Sequence, residues 1–296
     1  MKNYYQYFPV SDEDEGWGLS ILNTGCTRIE ANQPYPHQQH PEHHYFSWEK
    51  GRSLQEYQLI YIAAGEGAFE STTLPLTPVA AGTAILLFPG EWHRFKPSSA
   101  TGWDEYWVGF RGPVMDNLIR RRFFQRQAPL LPVGFRQEMI NLLDEIIMHT
   151  KKEEPGYQPV VAGAVLHLLG LVHAATRQQP FEENTDKAAQ LMKEAMLLLR
   201  ARVEERISME TVATTLHVSY AWFRKTFREY TGMPPRQYFI QLKIEKARLL
   251  LNDTNRSVKE IAYELNFDYP NHFSKLFKAK TGLSPEQYRK KYVQQN

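Results

Sequence analysis

Cysteine is nearly absent from this 296-residue chain: Cys26 stands alone. No intramolecular disulfide can form, so stability must come from packed cores, and the chain suits a reducing compartment, the cytoplasm. A lone cysteine more often packs as a small apolar group than acts as a nucleophile. The N-terminus lacks the apolar run of a secretory signal. The most apolar stretch, Val160 to Ala175, is broken by His167 and is shorter than the ~20 residues that span a bilayer. No low-complexity tract occurs. No Ser-His-Asp or Cys-His arrangement can be argued from spacing, so a binding protein is expected and not an enzyme.

Net charge is also scarce, at +2, but that average hides a split. From Lys187 to the end there are 20 Lys and Arg against 11 Asp and Glu, a balance of +9. The first 186 residues hold 15 against 22, a balance of −7. A basic module joined to an acidic one is the layout of a nucleic-acid reader with a separate sensor.

What is present begins with an arm. Residues 1–18 are polar, acidic and aromatic and read as flexible. From Leu19 to Phe110 short strands alternate with turns, as in a sandwich or barrel. Tyr57–Ala63 is a strand with Gly65-Glu-Gly67 as the turn after it. Ala84–Phe88 is a buried strand ended by Pro89-Gly90, and Tyr106–Phe110 is another. Helical spacing then takes over: Phe135 to Thr150 places Met139, Leu142, Leu143, Ile146 and Ile147 on one face, and Pro159 to Arg177 is a second apolar helix. This pair is expected both to pack on the barrel and to dimerise. Residues 19–177 thus form one domain, 178–186 a linker and 187–296 an all-α domain of seven helices.

The all-α domain repeats itself. Trp222-Phe-Arg-Lys-Thr-Phe-Arg-Glu-Tyr-Thr-Gly-Met-Pro-Pro-Arg-Gln-Tyr238 returns fifty residues later as His272-Phe-Ser-Lys-Leu-Phe-Lys-Ala-Lys-Thr-Gly-Leu-Ser-Pro-Glu-Gln-Tyr288. Upstream, Val212-Ala213 matches Ile261-Ala262 at an offset of 49, so the second unit has one extra residue between its helices. Each unit reads as a helix-turn-helix, and the helix from Pro235 to Leu251 joins them. Ser208, Ser219, Ser257 and Ser284 stand at helix starts as caps. In the first reading helix Phe223 and Phe227 face the core, leaving Tyr220, Ala221, Arg224, Lys225 and Arg228 outward. In the second, Phe273 and Phe277 face in, leaving Pro270, Asn271, Ser274, Lys275 and Lys278 outward. Arg pairs with guanine and Asn with adenine, whereas Arg228 and Lys278, further along, suit phosphates. Both helices can dock on one duplex only in successive major grooves, about 34 Å apart. The unlike outward residues predict that one chain reads two unlike sequences.

The stretch from Ile261-Ala-Tyr-Glu-Leu-Asn-Phe to Gln287-Tyr-Arg289 resembles the signature of the AraC/XylS transcription regulators. Two departures stand out. Asn266 occupies a position that usually holds Gly, but Asn tolerates a left-handed backbone. Pro270 opens the second reading helix, where a first-turn Pro is acceptable and its base contact would be apolar. The resemblance extends to Thr27-Arg-Ile-Glu-Ala-Asn32, Gly82-Thr-Ala-Ile-Leu-Leu-Phe-Pro-Gly-Glu-Trp-His93 and Trp103-Asp-Glu-Tyr-Trp-Val-Gly-Phe110, similar to the cupin-type effector domain of sugar-responsive members. It implies an α+β multidomain fold: a cupin-like β-barrel with a helical dimerisation hairpin, then the double helix-turn-helix domain.

The resemblance also implies an activator of carbohydrate-utilisation genes. Its partners would be double-stranded promoter DNA, a sugar or sugar-acid effector, a second copy of the chain and RNA polymerase, with no membrane. The effector positions fall on Thr27, Lys50, Phe95, Glu105 and Trp107, with Lys50 where an Arg is usual and Glu105 where a His is usual; His93 is a further lining candidate. Trp107 would supply the ring platform and Lys50 a donor. A metal cupin needs a His-x-His with Glu on an earlier strand, and Gln58-Leu-Ile-Tyr61 offers no His, so no metal or cofactor is expected. His37, His40, His43 and His44 cluster among Pro and Gln and read as a solvated loop. The alternative is a regulator whose barrel is vestigial and which answers to a protein partner or to its own abundance.

Overall fold

Two interiors compete for the alternating side chains of the same strands, and that competition organises the first half of the molecule. The computed structural model describes residues 3–35, 48–182, 186–252 and 256–293. The chain divides into two compact units, Met1–Gln179 and Pro180–Asn296. In the first, the elements run β1 (Tyr4–Tyr7), α1 (Asp12–Gly16), β2 (Ser20–Ile29), β3 (Arg52–Ser53), β4 (Tyr57–Ser71), β5 (Thr77–Ala80), β6 (Thr83–Leu87), β7 (Trp92–Pro97), β8 (Trp103–Arg111), α2 (Pro113–Arg120), β9 (Leu130–Pro132), α3 (Gln137–Lys152) and α4 (Tyr157–Glu182). All pairings are antiparallel, in the order β1-β2-β8-β4-β6-β9. The far half of β4 pairs with β5 and β7, and β7 with β3, which makes the second wall.

Neighbouring residues on these strands point to opposite faces. Leu59, Tyr61, Ala84, Leu86, Tyr106 and Val108 join one core with the buried faces of α3 and α4. Their neighbours Ile60, Ile62, Ile85, Leu87 and Trp107 join Phe69, Phe95 and Trp103 in the barrel interior. Both faces are covered, so β6 is buried at every position.

The expected turn at Gly65-Glu66-Gly67 is instead a bend inside β4, which continues to Ser71. Gly65 has φ +83°, and a Cβ there would lie 2.1 Å from the Gly102 carbonyl. A register shift between Ile62 and Ala64 adds twist. One strand therefore serves both walls. Gly25 meets a different need: a Cβ there would stand 2.2 Å from the Trp107 ring.

Three other expectations are corrected. The arm is not loose over its described length: β1 pairs with β2 from Tyr4 opposite Cys26 to Tyr7 opposite Asn23. Phe8 is buried against Tyr157, Lys151 sits over the Tyr4 ring, and Ser11 closes a capping box on α1. The four aromatics of Tyr4–Phe8 outweigh the polar composition. Second, helix α4 continues through 178–182, residues expected in the linker, and runs past Pro180; residues 183–185 lie outside the described residues, as do His37, His40, His43 and His44. Third, the apolar stretch is longer than expected: Tyr157–Arg177 is long and apolar enough to cross a membrane by length and composition. Its Val161, Val165, Leu168, Leu169 and Val172 are spent on the barrel-facing core.

The second unit is built of α5 (Asp186–Ala201), α6 (Met209–Thr215), α7 (Tyr220–Thr231), α8 (Pro235–Leu251), α9 (Val258–Glu264), α10 (Pro270–Thr281) and α11 (Pro285–Val293). Ser208, Ser219, Ser257 and Ser284 each accept a backbone N–H of the following turn. Gly232 and Gly282 end α7 and α10 in the left-handed region. Two cores result. Phe223, Phe227 and Phe239 close on Met192, Val212 and Leu216, and Phe273 and Phe277 close on Ile244, Leu251, Ile261 and Leu265. Asn266 does take a left-handed backbone, φ 51°, and His217 takes the same conformation at the matching turn, φ 56°.

Gly65→Ala is expected to lower barrel stability by about 1–3 kcal/mol or more, through positive φ and the Gly102 clash. Denaturant melting of the full chain, followed at the barrel tryptophans, reads the change; an unaltered midpoint would show that the bend does not depend on glycine.

Candidate functional sites

Inside the barrel, β8 points Trp103, Glu105 and Trp107 inward. Register sets Thr27 of β2 and Ile62 of β4 on either side of Glu105. Strand β7 contributes His93 and Phe95, whose rings stack at 6.2 Å and 11°. Tyr35 stands edge-on to Trp103, and its hydroxyl reaches both Glu105 oxygens at 3.4 Å. Arg52, from the two-residue strand β3, lies over the Phe95 ring at 5.6 Å. Thus His93, Phe95, Glu105 and Trp107, all expected at an effector site, are buried in one interior, and Thr27 adjoins them. Lys50 does not join them: it is exposed, and its carbonyl accepts the Trp92 Nε1–H at 2.7 Å.

Arg52, Tyr35 and Trp103 escaped the residue-level reading. A two-residue strand has no periodicity to detect, and Tyr35 precedes a histidine-rich stretch without a strand pattern. A second buried polar cluster went unseen too: Asn23 donates to Glu56, and Gln58 donates to Asn23, each at 3.2 Å. Against the other face of the sheet, a cleft of about 520 Å³ lies between β2, β8 and α3, where Cys26, Tyr106, Asp144 and Lys151 meet. It contains none of the expected effector residues.

Burial dominates the electrostatics of the interior. It pushes Glu105 up to about 8, against the opposing influence of Arg52 and Tyr35. The Trp103 Nε1–H also favours the ionised carboxylate, though it makes no hydrogen bond of ordinary geometry among the described residues. At neutral pH Glu105 is therefore mainly a neutral acid, able to donate as well as accept. Burial, with Arg52 adding, pushes His93 down to about 4. Its Nδ1 lies 3.1 Å from the Glu91 carbonyl, which selects the Nδ1–H tautomer. That leaves Nε2 as a buried acceptor with no hydrogen-bond partner among the described residues. Burial also lowers Arg52, opposed by Tyr35, Tyr7 and Glu105. Among the described residues, no group of three or more His, Cys, Asp or Glu could hold a metal ion.

In the second unit, α7 exposes Tyr220, Ala221, Arg224, Lys225 and Arg228, and its Phe223 and Phe227 are fully buried. Helix α10 exposes Asn271, Lys275 and Lys278, with Pro270 and Ser274 half-buried and Phe273 and Phe277 fully buried. Exposed Trp222 and Tyr269 stand at the two helix starts. The turns differ as expected: residues 216–219 separate α6 from α7, and 265–269 separate α9 from α10. Each unit thus offers a basic helix with its apolar face locked and its cationic face open.

Residues 33–216 match the AraC-like ligand binding domain, and residues 212–291 match a helix-turn-helix domain. The HTH-type transcriptional activator RhaS of Salmonella arizonae is 33% identical over 277 residues, which are 92% of this chain and 95% of that protein. The MmsAB operon regulatory protein of Pseudomonas aeruginosa is 26% identical over 258 residues, 81% of this chain and 76% of that one. Among solved structures, the DNA-binding domain of AdpA in complex with a target DNA is 28% identical, covering 36% of this chain and 95% of that chain with a TM-score of 0.34.

The two buried titrating groups act on stability in opposite directions. Glu105 is held protonated in the fold to about pH 8, whereas its ordinary value is 4.5, so its contribution is full below pH 4.5 and is lost as pH rises through about 8. His93, depressed from 6.5 to about 4, contributes stability above pH 6.5 that is lost as pH falls toward 4. From pH 4.5 to 6.5 the two offset each other. In the wild-type chain, barrel stability is expected to fall between pH 6.5 and 8 by up to about 1.4 kcal/mol per pH unit. Glu105→Gln should remove that fall and uncover a decline below pH 6.5. Denaturant titrations across this range check it; a flat wild-type profile from 6.5 to 8 would rule out a neutral Glu105.

Proposed function

The chain belongs to the AraC family and is a DNA-binding transcription regulator with a ligand-binding domain, and from that premise we propose that it is an activator whose barrel takes a sugar or sugar acid. One observation carries the effector reading: an otherwise apolar interior holds a neutral carboxyl, a guanidinium and an imidazole acceptor that has no hydrogen-bond partner among the described residues. Polar groups are costly to bury unless something completes their hydrogen bonds. A polyhydroxylated ring supplies donors for His93 Nε2 and acceptors for Glu105 and Arg52, while Trp107 and Phe95 cover its C–H face. Thr27 lies beside Glu105. In this proposal Arg52 takes the cationic role that resemblance assigned to Lys50, which stays at the exposed rim.

On the DNA side, α7 and α10 would enter successive major grooves. Arg224, Lys225, Asn271, Ser274 and Lys275 would face base edges with Tyr220, Ala221 and Pro270 beside them, and Arg228 and Lys278 would hold phosphates. Duplex promoter DNA and RNA polymerase are then the macromolecular partners, in the cytoplasm. A second copy is proposed to dock on α4, whose exposed face runs Val160, Gly163, His167, Gly170 and Ala174 at alternating spacings of three and four. That spacing and those small side chains favour close helix–helix approach. The arm, residues 1–18, whose Tyr4–Tyr7 segment pairs with β2 at the barrel edge, is proposed to couple effector binding to the DNA-bound arrangement. Coupling requires that the effector favour one arrangement over the other.

Two experiments test the proposal. A thermal-shift screen with neutral sugars and sugar acids should find a ligand that adds about 2.7 kcal/mol at a hundred times its dissociation constant. Arg52→Met and Glu105→Gln should abolish the shift, and silence across the whole panel would reject the effector reading. In DNA binding, Arg224→Ala and Lys275→Ala should each cost about 1–3 kcal/mol on the selected site and little on random DNA. Lys278→Ala should weaken both and reduce the salt slope by about one. Equal losses on both DNAs for all three variants would reject the base-reading assignments.

A further inference from the structure

A single buried ammonium joins the two helix-turn-helix units. Lys243 lies midway along α8 and is only 6% exposed. Its Nζ donates to the Leu265 carbonyl at 2.6 Å and to the Glu205 carbonyl at 3.1 Å. Leu265 ends α9, in the second helix-turn-helix unit; Glu205 follows α5, which packs in the core of the first helix-turn-helix unit. The rings of Phe239, from the first core, and Phe267, from the second, flank the cation at 4.9 and 5.6 Å. We propose that Lys243 is a positioning residue for DNA recognition: by holding both carbonyls it keeps the second unit at one setting against the first, and so fixes the spacing of the two subsites that a single chain reads.

The shared helix alone does not fix that setting. Phe239 packs in one core and Ile244, Ala247 and Leu251 pack in the other, so each unit could still rock about its own contact line on α8. A lateral tie removes this freedom. The carbonyls at a helix C-terminus carry partial negative charge and attract a cation. A desolvated ammonium left without its acceptors is costly, so any relative movement that stretches either bond is resisted. A compact charge with three donors suits two carbonyls converging from different segments. The same junction is stitched on its outer side. Asn266 Nδ2 donates to the Glu204 carbonyl at 2.6 Å, Arg206 meets Asp268 at 3.2 Å, and Lys246 meets Glu204 at 3.1 Å. All of these contacts tie residues 204–206 to α8 or to the turn of the second unit.

The proposal rests on the reading that both α7 and α10 touch one duplex, and the test separates the two. The full-length wild-type chain selects a site from a random duplex pool, and its affinity is then measured on that site and on versions with one base pair inserted or removed between the two footprints. Wild type should lose about tenfold or more on the shifted duplexes; if it loses nothing, the two-helix reading fails, and the positioning role fails with it. Lys243→Met should bind the selected and shifted duplexes within about threefold of each other, while Lys243→Arg restores the preference at least in part. A Lys243→Met chain that is folded by circular dichroism and keeps the wild-type ratio would overturn the proposal, since a merely stabilising residue lowers affinity on all duplexes alike. If Lys243→Met is unfolded, Asn266→Ala with Arg206→Ala loosens the same junction from its exposed side. A reduced ratio there supports the proposal, and an unchanged ratio overturns it.

Discussion

The period-two alternation of β4 and β8 is the constraint on which the first unit depends. Each strand must satisfy a helix-covered core on one face and the barrel interior on the other. Because side chains alternate strictly, a slip of one residue would exchange every occupant. Glu105 would face the helices and Tyr106 the barrel. The pairing register of β2, β8 and β4 is therefore also the register of the site. It sets Thr27 beside Glu105 and Gly25 beneath Trp107, with no loop involved in either placement.

Much of this was legible from local signals. The helices of the second unit start and end within a residue or two of their caps, except at α5, because Ser, Pro and Gly mark boundaries by backbone chemistry that does not depend on distant contacts. The paired phenylalanines of α7 and α10 could be assigned inward from spacing alone. The barrel was less legible where its shape depends on remote partners. Gly65 and Gly67 resemble turn glycines, yet Gly65 takes its positive φ at a bend within a strand, where the Gly102 carbonyl across the sheet leaves no room for a Cβ. Arg52 is invisible as a site residue because β3 is two residues long, and only its pairing with β7 brings it beside Phe95. The edge strand β1 was hidden by acidic composition, though Tyr4, Tyr5, Tyr7 and Phe8 carried the needed apolar surface.

Buried polar groups play two distinct parts here. At Lys243 the donors meet carbonyls from two segments, and the result is rigidity. Around Glu105, the 3.4 Å contacts from Tyr35 are long, and the His93 Nε2 acceptor has no mate among the described residues. Such unmet capacity costs stability and is what a ligand can recover on binding, the familiar tension between a stable interior and a responsive one.

The division of α8 between two cores bears on how the second unit folds. Each core belongs to a segment of roughly fifty residues, near the size at which a small helical module is only marginally stable by itself. Because both draw on one helix, neither can complete its interior until α8 has formed. Growth of α8 from either end also lowers the cost of ordering the other repeat, as in a linear array with coupling between nearest neighbours. The unit should therefore assemble and unravel largely as one cooperative element, which disfavours a half-folded state in which one helix-turn-helix is formed without the other.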